Sequence, residues 1–246
     1  MGRRLGQHFL ISRPVLERIA ETVCANKPQI VVEIGPGQGV LTSFLLDFGA
    51  KVHAIELDPA MVETLARRFP NHPNLTVHHQ DVLDTDLSQW GPATLAGNLP
   101  YYITSPILDR IRAAREAIQY STLLIQKEVA DRVLAKPRSR DYGYLTVVTQ
   151  SWAEARHIVH VPPGAFRPPP KVDSSVIHLA SRPAIPPDLD PFLRFVGLCF
   201  QHKRKTLRNN LQTAYPSADW ATLPERTLRA EQLSIEELRD LWHKLS

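Results

Sequence analysis

Short runs of apolar residues alternate along the first half of the chain with stretches whose apolar positions recur every three or four residues. The run Ile30-Val31-Val32-Glu33-Ile34 has the density of a buried strand and stops at glycines, after which the spacing predicts a helix over 40–48. Val52-His53-Ala54-Ile55 repeats the strand pattern; Asp58-Pro59 then offers an N-cap with proline in the first helical position, and a helix is predicted to about residue 68. Further strands are predicted at 75–78, 93–96 and 122–126, with helices over about 105–115 and 127–135. Strands alternating with helices of this length imply βαβ units, a parallel sheet and right-handed crossovers.

After Tyr142 the rhythm changes. Residues 144–152 have helical spacing, and 157–161 and 174–179 read as two strands suited to an antiparallel hairpin at the edge of a mostly parallel sheet. The proline-bearing stretch 181–190 reads as a stiff linker, and 191–246 as largely helical. The expected organisation is therefore an α/β domain over 1–182 and a small all-helical domain over 183–246.

Composition narrows the class without deciding it. In 246 residues, 43% hydrophobic and 22% charged, there is enough apolar surface for a sizeable core. No apolar run approaches the ~20 residues that span a bilayer, and the basic start Met1–His8 lacks the apolar stretch of a secretory signal. Cys24 and Cys199 have neither CxxC nor zinc-ligand spacing, so both are expected to be reduced, in a cytoplasmic protein without a membrane partner. The formal net charge of +4 leans weakly towards an anionic partner.

Three loops that follow strands carry the candidate chemistry. Glu33-Ile34-Gly35-Pro36-Gly37-Gln38-Gly39 lies between a strand and a helix, where glycines let the backbone turn sharply and approach a ligand. Its G-x-G-x-G spacing differs from the dinucleotide fingerprint, and Glu56, ending the next strand, can accept from both hydroxyls of a ribose. Together these indicate a nucleoside-containing cofactor, against the alternative of a tight turn with an incidental acid. Asp81 can accept from an adenine amine and the Val82 N–H can reach a ring nitrogen; a surface acid capping the next segment is the plainer alternative.

Asn98-Leu99-Pro100-Tyr101 is the most specific of the three. An adenine N6 is a poor nucleophile because its lone pair is delocalised into the ring. The Asn98 amide oxygen and the Leu99 carbonyl can accept its two N–H bonds, localising that lone pair, while Pro100 stiffens the turn and Tyr101 offers a face for stacking. A proline-bearing strand-to-helix turn without chemistry stays open as the alternative.

Elsewhere, Phe166 among prolines suits a rigid loop presenting a ring to an unpaired base, although a ring folded back into the core fits the same residues. Lys203, Arg204, Lys205 and Arg208 put cations on one or two predicted helical turns, suited to RNA phosphates or to solvent alone. Arg110, Arg112 and Arg115 form a second, weaker strip. His53, His72, His78 and His79 lack metal-ligand spacing, and neither Thr104-Ser105 nor Cys199 has a partnered base, so metal and nucleophilic catalysis are not expected.

Five segments in order, 5–10, 33–39, 98–101, 166–174 and 203–211, resemble the ribosomal RNA adenine N6-dimethyltransferases across nearly the whole chain, within them the KsgA branch acting on small-subunit rRNA. The resemblance implies a Rossmann-like class I methyltransferase sheet and S-adenosylmethionine as cofactor. It implies cofactor contacts from His8, Leu10, Gly35, Gly37, Glu56, Asp81, Val82 and Asn98, and a target base held between Tyr101 and Phe166. It further implies dimethylation of two adjacent adenosines in a hairpin loop near the 3′ end of small-subunit rRNA, within a subunit precursor, by a monomer. His8 and Tyr102 stand where many members carry Asn. The rival readings are a large-subunit methylase of the macrolide-resistance type, favoured less by the full proline-rich segment and Asn209-Asn210-Leu211, and a non-catalytic assembly factor. A nicotinamide-dependent oxidoreductase is disfavoured by the glycine spacing.

Overall fold

Two elements beyond those predicted come first, β1 (Phe9–Leu10) and α1 (Arg13–Cys24). Helix α1 opens with proline in its first turn and buries Val15, Leu16, Ile19, Ala20 and Val23 on one face. A computed structural model describes residues 8–245, so the basic arm up to Gln7 lies outside the described residues. The predicted alternation follows: β2 (Ile30–Ile34), α2 (Val40–Asp47), β3 (Lys51–Glu56), α3 (Pro59–Arg68), β4 (Leu75–His79), β5 (Ala93–Asn98), α4 (Thr104–Ala113) and β6 (Ile118–Gln126). Asp58 caps α3 as its composition suggests, accepting from the Ala60 N–H at 2.9 Å.

The remaining elements are α5 (Lys127–Leu134), α6 (Tyr144–Gln150), β7 (Ala153–Val161), β8 (Phe166–Arg167), β9 (Ser174–Ser181), α7 (Leu189–Cys199), α8 (Leu207–Leu211) and α9 (Ile235–Leu245). Seven strands form one sheet in the order β4-β3-β2-β5-β6-β9-β7. Strands β2 to β6 pair in parallel, and β9 runs antiparallel to β6 from Tyr120↔Ala180 to Gln126↔Ser174. This is the mostly parallel sheet with an antiparallel edge that the pattern predicts. Val31, Val32 and Leu95 have no accessible surface, as expected where helices cover both faces.

The order of the strands positions the site. The chain moves outward from β2 through β3 to β4, then returns to the other flank of β2 with β5. The loops after β2 and β5 therefore part in opposite directions, leaving the crevice in which such sheets bind ligands. The register Ile34↔Gly97 sets Gly35 and Asn98 side by side.

The boundary between compact units differs from the expected division at 182/183. One unit comprises residues up to 130 with 154–181; the other joins 131–153 to 182 onward. The cause is packing that sequence spacing does not reveal: α6 buries Thr146, Val147, Val148 and Thr149 and packs against α7. Nor is 181–190 a free linker, since the Arg182 N–H donates to the Trp152 carbonyl at 2.9 Å and Leu189 is buried. In the same unit α9 packs on α7, with the Arg239 guanidinium 4.3 Å from the Phe192 ring centre and 2.7 Å from Asp188. No helix among the described residues is long and apolar enough to cross a membrane.

A chain truncated after Arg182 keeps α6 but lacks the helix that covers it. It is expected to bind a hydrophobic dye strongly and to melt less cooperatively than the full chain; equal sharpness in a calorimetric scan would contradict this division of the units.

Candidate active site

The loop after β2 is built from left-handed backbone, with φ of +65° at Gly35, +54° at Gly37 and +75° at Gly39, a region costly for other residues. A Cβ on Gly39 would also lie 2.7 Å from the Phe69 ring and 2.8 Å from Leu65, so the loop needs glycine there on both counts. Across the loop, Glu56 is held by two backbone donors, the Gly37 N–H at 3.0 Å and the Asp58 N–H at 2.9 Å. The carboxylate is buried, yet each oxygen keeps a further lone pair for a ligand hydroxyl. After β4, Asp81 turns its own backbone by accepting from the Leu83 N–H at 2.8 Å, and Arg110 braces that loop by donating to the Thr85 carbonyl at 2.6 Å. Arg110 thus has a structural task, while Arg115 donates to the Arg112 carbonyl at 3.1 Å.

The turn after β5 meets the N-terminal segment. The Asn98 side-chain amide donates to the His8 carbonyl at 3.1 Å, which leaves Oδ1 as the accepting end of that amide. His8 in turn donates from Nδ1 to the Pro168 carbonyl at 2.8 Å, and its ring stacks on Tyr101 at 6.0 Å. The Tyr101 hydroxyl is bonded to Ser174 Oγ at 2.8 Å. Leu99 is buried and its N–H donates to the Leu124 carbonyl at 3.0 Å, so the turn is anchored to β6.

Most of these residues line one cleft, with about 1250 Å³ of empty space including its open mouth. His8, Leu10, Gly35, Gly37, Glu56, Asp81, Val82, Asn98, Leu99, Pro100 and Tyr101, all singled out from sequence, converge there. Phe166 does not. Strand β8 pairs with β1 in the register Leu10↔Phe166 and Phe9↔Arg167, and the two-residue period of a strand turns the Phe166 ring into the core, 3% exposed, and Arg167 to solvent. The expectation that Phe166 offers an open ring is corrected accordingly. Lys203, Arg204, Lys205 and Arg208 are exposed as expected, but the first three stand on a turn before α8 rather than on a helix. Asn210, mostly buried, holds that turn by donating to the carbonyls of Cys199 at 2.9 Å and His202 at 3.3 Å.

Comparison with known proteins agrees with this geometry. A family model described as ribosomal RNA adenine dimethylase matches residues 2–244. The chain belongs to the ribosomal RNA adenine dimethylase family. It is 40% identical to the ribosomal RNA small subunit methyltransferase A of Acidobacterium capsulatum over 98% of this chain and 90% of that protein. It is 37% identical to the protein of the same name from Thermotoga maritima, over 99% of this chain and 85% of that one. Among solved structures it resembles a dimethyladenosine transferase from Plasmodium falciparum, with TM-score 0.80, 25% identity and coverage of 95% and 96%. It also resembles the 23S rRNA methyltransferase ErmE, with TM-score 0.75, 31% identity and coverage of 96% and 99%. As a member of its family this dimethylase is an S-adenosylmethionine-dependent rRNA adenine methyltransferase.

Three features of the dimethylase cleft have no site role in the sequence reading. Phe9 packs over the glycine loop, Tyr102 stands at the cleft, and Glu33 lies buried beneath it. Glu33 accepts from Thr42 Oγ1 at 2.6 Å, but burial dominates and pushes its carboxyl up to about 7, with the nearby Glu56 adding to the rise. Only the long-range fold buries it, so a strand glutamate gave no local signal.

A raised carboxyl binds its proton more tightly in the folded than in the unfolded chain. Its contribution to stability is therefore complete below pH 4.5 and is lost as pH rises towards 7. Glu33→Gln, which keeps an acceptor for Thr42, is expected to flatten that decline and to gain up to about 3 kcal/mol near pH 8. Chemical denaturation across this range checks it; an unchanged pH profile would refute it.

Proposed function

We propose that this dimethylase methylates N6 of two adjacent adenosines in a hairpin loop near the 3′ end of small-subunit rRNA. It acts as a cytoplasmic monomer on a precursor of the small subunit. The resemblance of its five ordered segments supports that target, as do the curated relatives named for the small subunit. The observation that carries the chemistry is the Asn98–Tyr101 turn, with its amide orientation set by His8.

The cleft fits S-adenosylmethionine on its own chemistry. Glu56 has acceptor capacity for a ribose diol, left-handed glycines at 35 and 37 admit a close backbone approach, and Asp81 with the Val82 N–H matches the hydrogen-bonding edge of an adenine. His8, Leu10, Gly35, Gly37, Glu56, Asp81, Val82 and Asn98 would hold it. When bound, the cofactor supplies an electrophilic methyl group on a sulfonium.

The protein's share is positioning and polarisation. Asn98 Oδ1 and the Leu99 carbonyl accept the two hydrogens of adenosine N6, so that its lone pair turns out of conjugation with the ring. Because the Asn98 Nδ2 is engaged by the His8 carbonyl, the amide cannot rotate to offer a donor there without losing that bond. Pro100 restrains the backbone that carries both acceptors, and Tyr101 supports the base through a ring held by Ser174 and His8. An unpaired loop adenosine suits such a site, since extruding it costs less than extruding a duplex base. Lys203, Arg204, Lys205 and Arg208, on and after a turn braced by Asn210, take RNA phosphates.

Incubation with labelled cofactor and unmethylated small subunits, large subunits and free rRNA, followed by mapping of the labelled bases, tests the proposal. Label is expected on two adjacent small-subunit adenosines, with Asn98→Ala lowering kcat by about a hundredfold or more. Label confined to large-subunit rRNA would transfer the reading to the ErmE-like specificity, and no label on adenosine would overturn it. In a separate binding titration, Lys203→Ala with Arg204→Ala is expected to weaken RNA binding and reduce the log–log salt slope by about 2.

A further inference from the structure

Tyr102 is the most exposed large apolar side chain among the described residues, at 64%, and it lines the cleft. Its mount is rigid. It sits in the single 3-10 turn Tyr101–Ile103, which Pro100 opens at φ −59° and the Ile103 N–H closes onto the Pro100 carbonyl at 3.1 Å. The buried Thr104 follows at the start of α4, its hydroxyl 3.4 Å from the Pro100 carbonyl. A bulky ring held in water on a braced turn has forgone burial without gaining freedom.

Tyr102 cannot share the task of Tyr101. Successive side chains of a 3-10 turn diverge by a third of a revolution. Tyr101 is half-buried, its hydroxyl on Ser174 and its ring along His8, so the ring of Tyr102 addresses a different direction. Phe166, the other ring expected to meet RNA, is in the core. Of these three rings, Tyr102 is the one that stands open at the cleft.

We propose that Tyr102 is a stacking platform for the unpaired nucleotide adjacent to the target adenosine; the inference rests on the rRNA-methylating role of the neighbouring turn. Drawing one base into a cleft deprives its neighbour of a stacking partner, and an aromatic face at the mouth replaces it without regard to base identity. In a substrate with two adjacent adenosines, the ring holds one while the other occupies the cleft.

The test uses the full chain, saturating S-adenosylmethionine and unmethylated small ribosomal subunits. Tyr102→Ala is expected to raise KM for the subunit about tenfold with kcat within about twofold, and Tyr102→Phe to keep both within about twofold. Calorimetric affinity for the cofactor and the melting temperature are expected to match the parent in both variants. A photo-crosslinker at position 102, introduced as Tyr102→benzoylphenylalanine and used on subunits in which one of the two adenosines is replaced by guanosine, is expected to map to the nucleotide beside the single adenosine being methylated. An unchanged KM in Tyr102→Ala, equal losses in the Ala and Phe variants, a parallel fall in cofactor affinity or melting temperature, or a crosslink to the methylated adenosine itself would each overturn the platform. If the parent protein methylates its adenosines while any of these occurs, only this inference fails; if the parent leaves them unmethylated, the functional reading falls and takes this inference with it.

Discussion

The hydrogen bond from the Asn98 amide to the His8 carbonyl governs how the cleft can be used. It ties a strand end at the centre of the sheet to a segment some ninety residues earlier in the chain. By occupying the donor end of the amide it leaves the acceptor end for a ligand amine. The bond holds because His8 is itself restrained, by the Pro168 carbonyl on one side and the β1–β8 ribbon next to it. Three remote pieces of sequence thus fix the orientation of one side chain.

The chemistry around that bond divides by charge. Glu33, Glu56 and Asp81 gather at the cleft, with Glu56 and Asp81 satisfied by backbone donors and Glu33 by Thr42 and a raised proton affinity. Such an acid-lined cleft suits a nucleoside cofactor bearing positive charge. The exposed cations of 203–208 belong to the other compact unit, where Asn210 braces the turn that carries most of them. The acid-lined cleft and the exposed cations therefore belong to separate compact units.

Much of this was legible in the linear pattern. Strands β2, β3 and β5 are short and mostly buried because both faces of the central sheet are covered, while the edge strand β4 stays partly exposed. The glycine loop, Glu56, Asp81 and Asn98 are visible because residues of unusual backbone freedom or acidity follow directly on strand ends. The β1–β8 ribbon was not legible, since two-residue strands have no period to detect. Helix α1 was legible in principle, with Ser12 and Pro14 ahead of apolar positions 15, 16, 19, 20 and 23 at helical spacing, whereas the unit boundary was not, because α6 finds its partner, α7, beyond three intervening strands.

Phe166 and Tyr102 mark the limit most clearly. From sequence, the ring among prolines was expected, with Tyr101, to face RNA, and Tyr102 stood out only as a departure from Asn. Pairing with β1 turned the first inward, and the 3-10 turn after Pro100 held the second outward. Local order along the chain determined the parallel sheet, the ligand-bearing loops and the residue types available for catalysis, because periodicity and backbone freedom are properties of neighbours in sequence. Which side chains are open, which are buried and which way an amide faces was decided only by tertiary structure, because those depend on contacts between segments that no local spacing encodes.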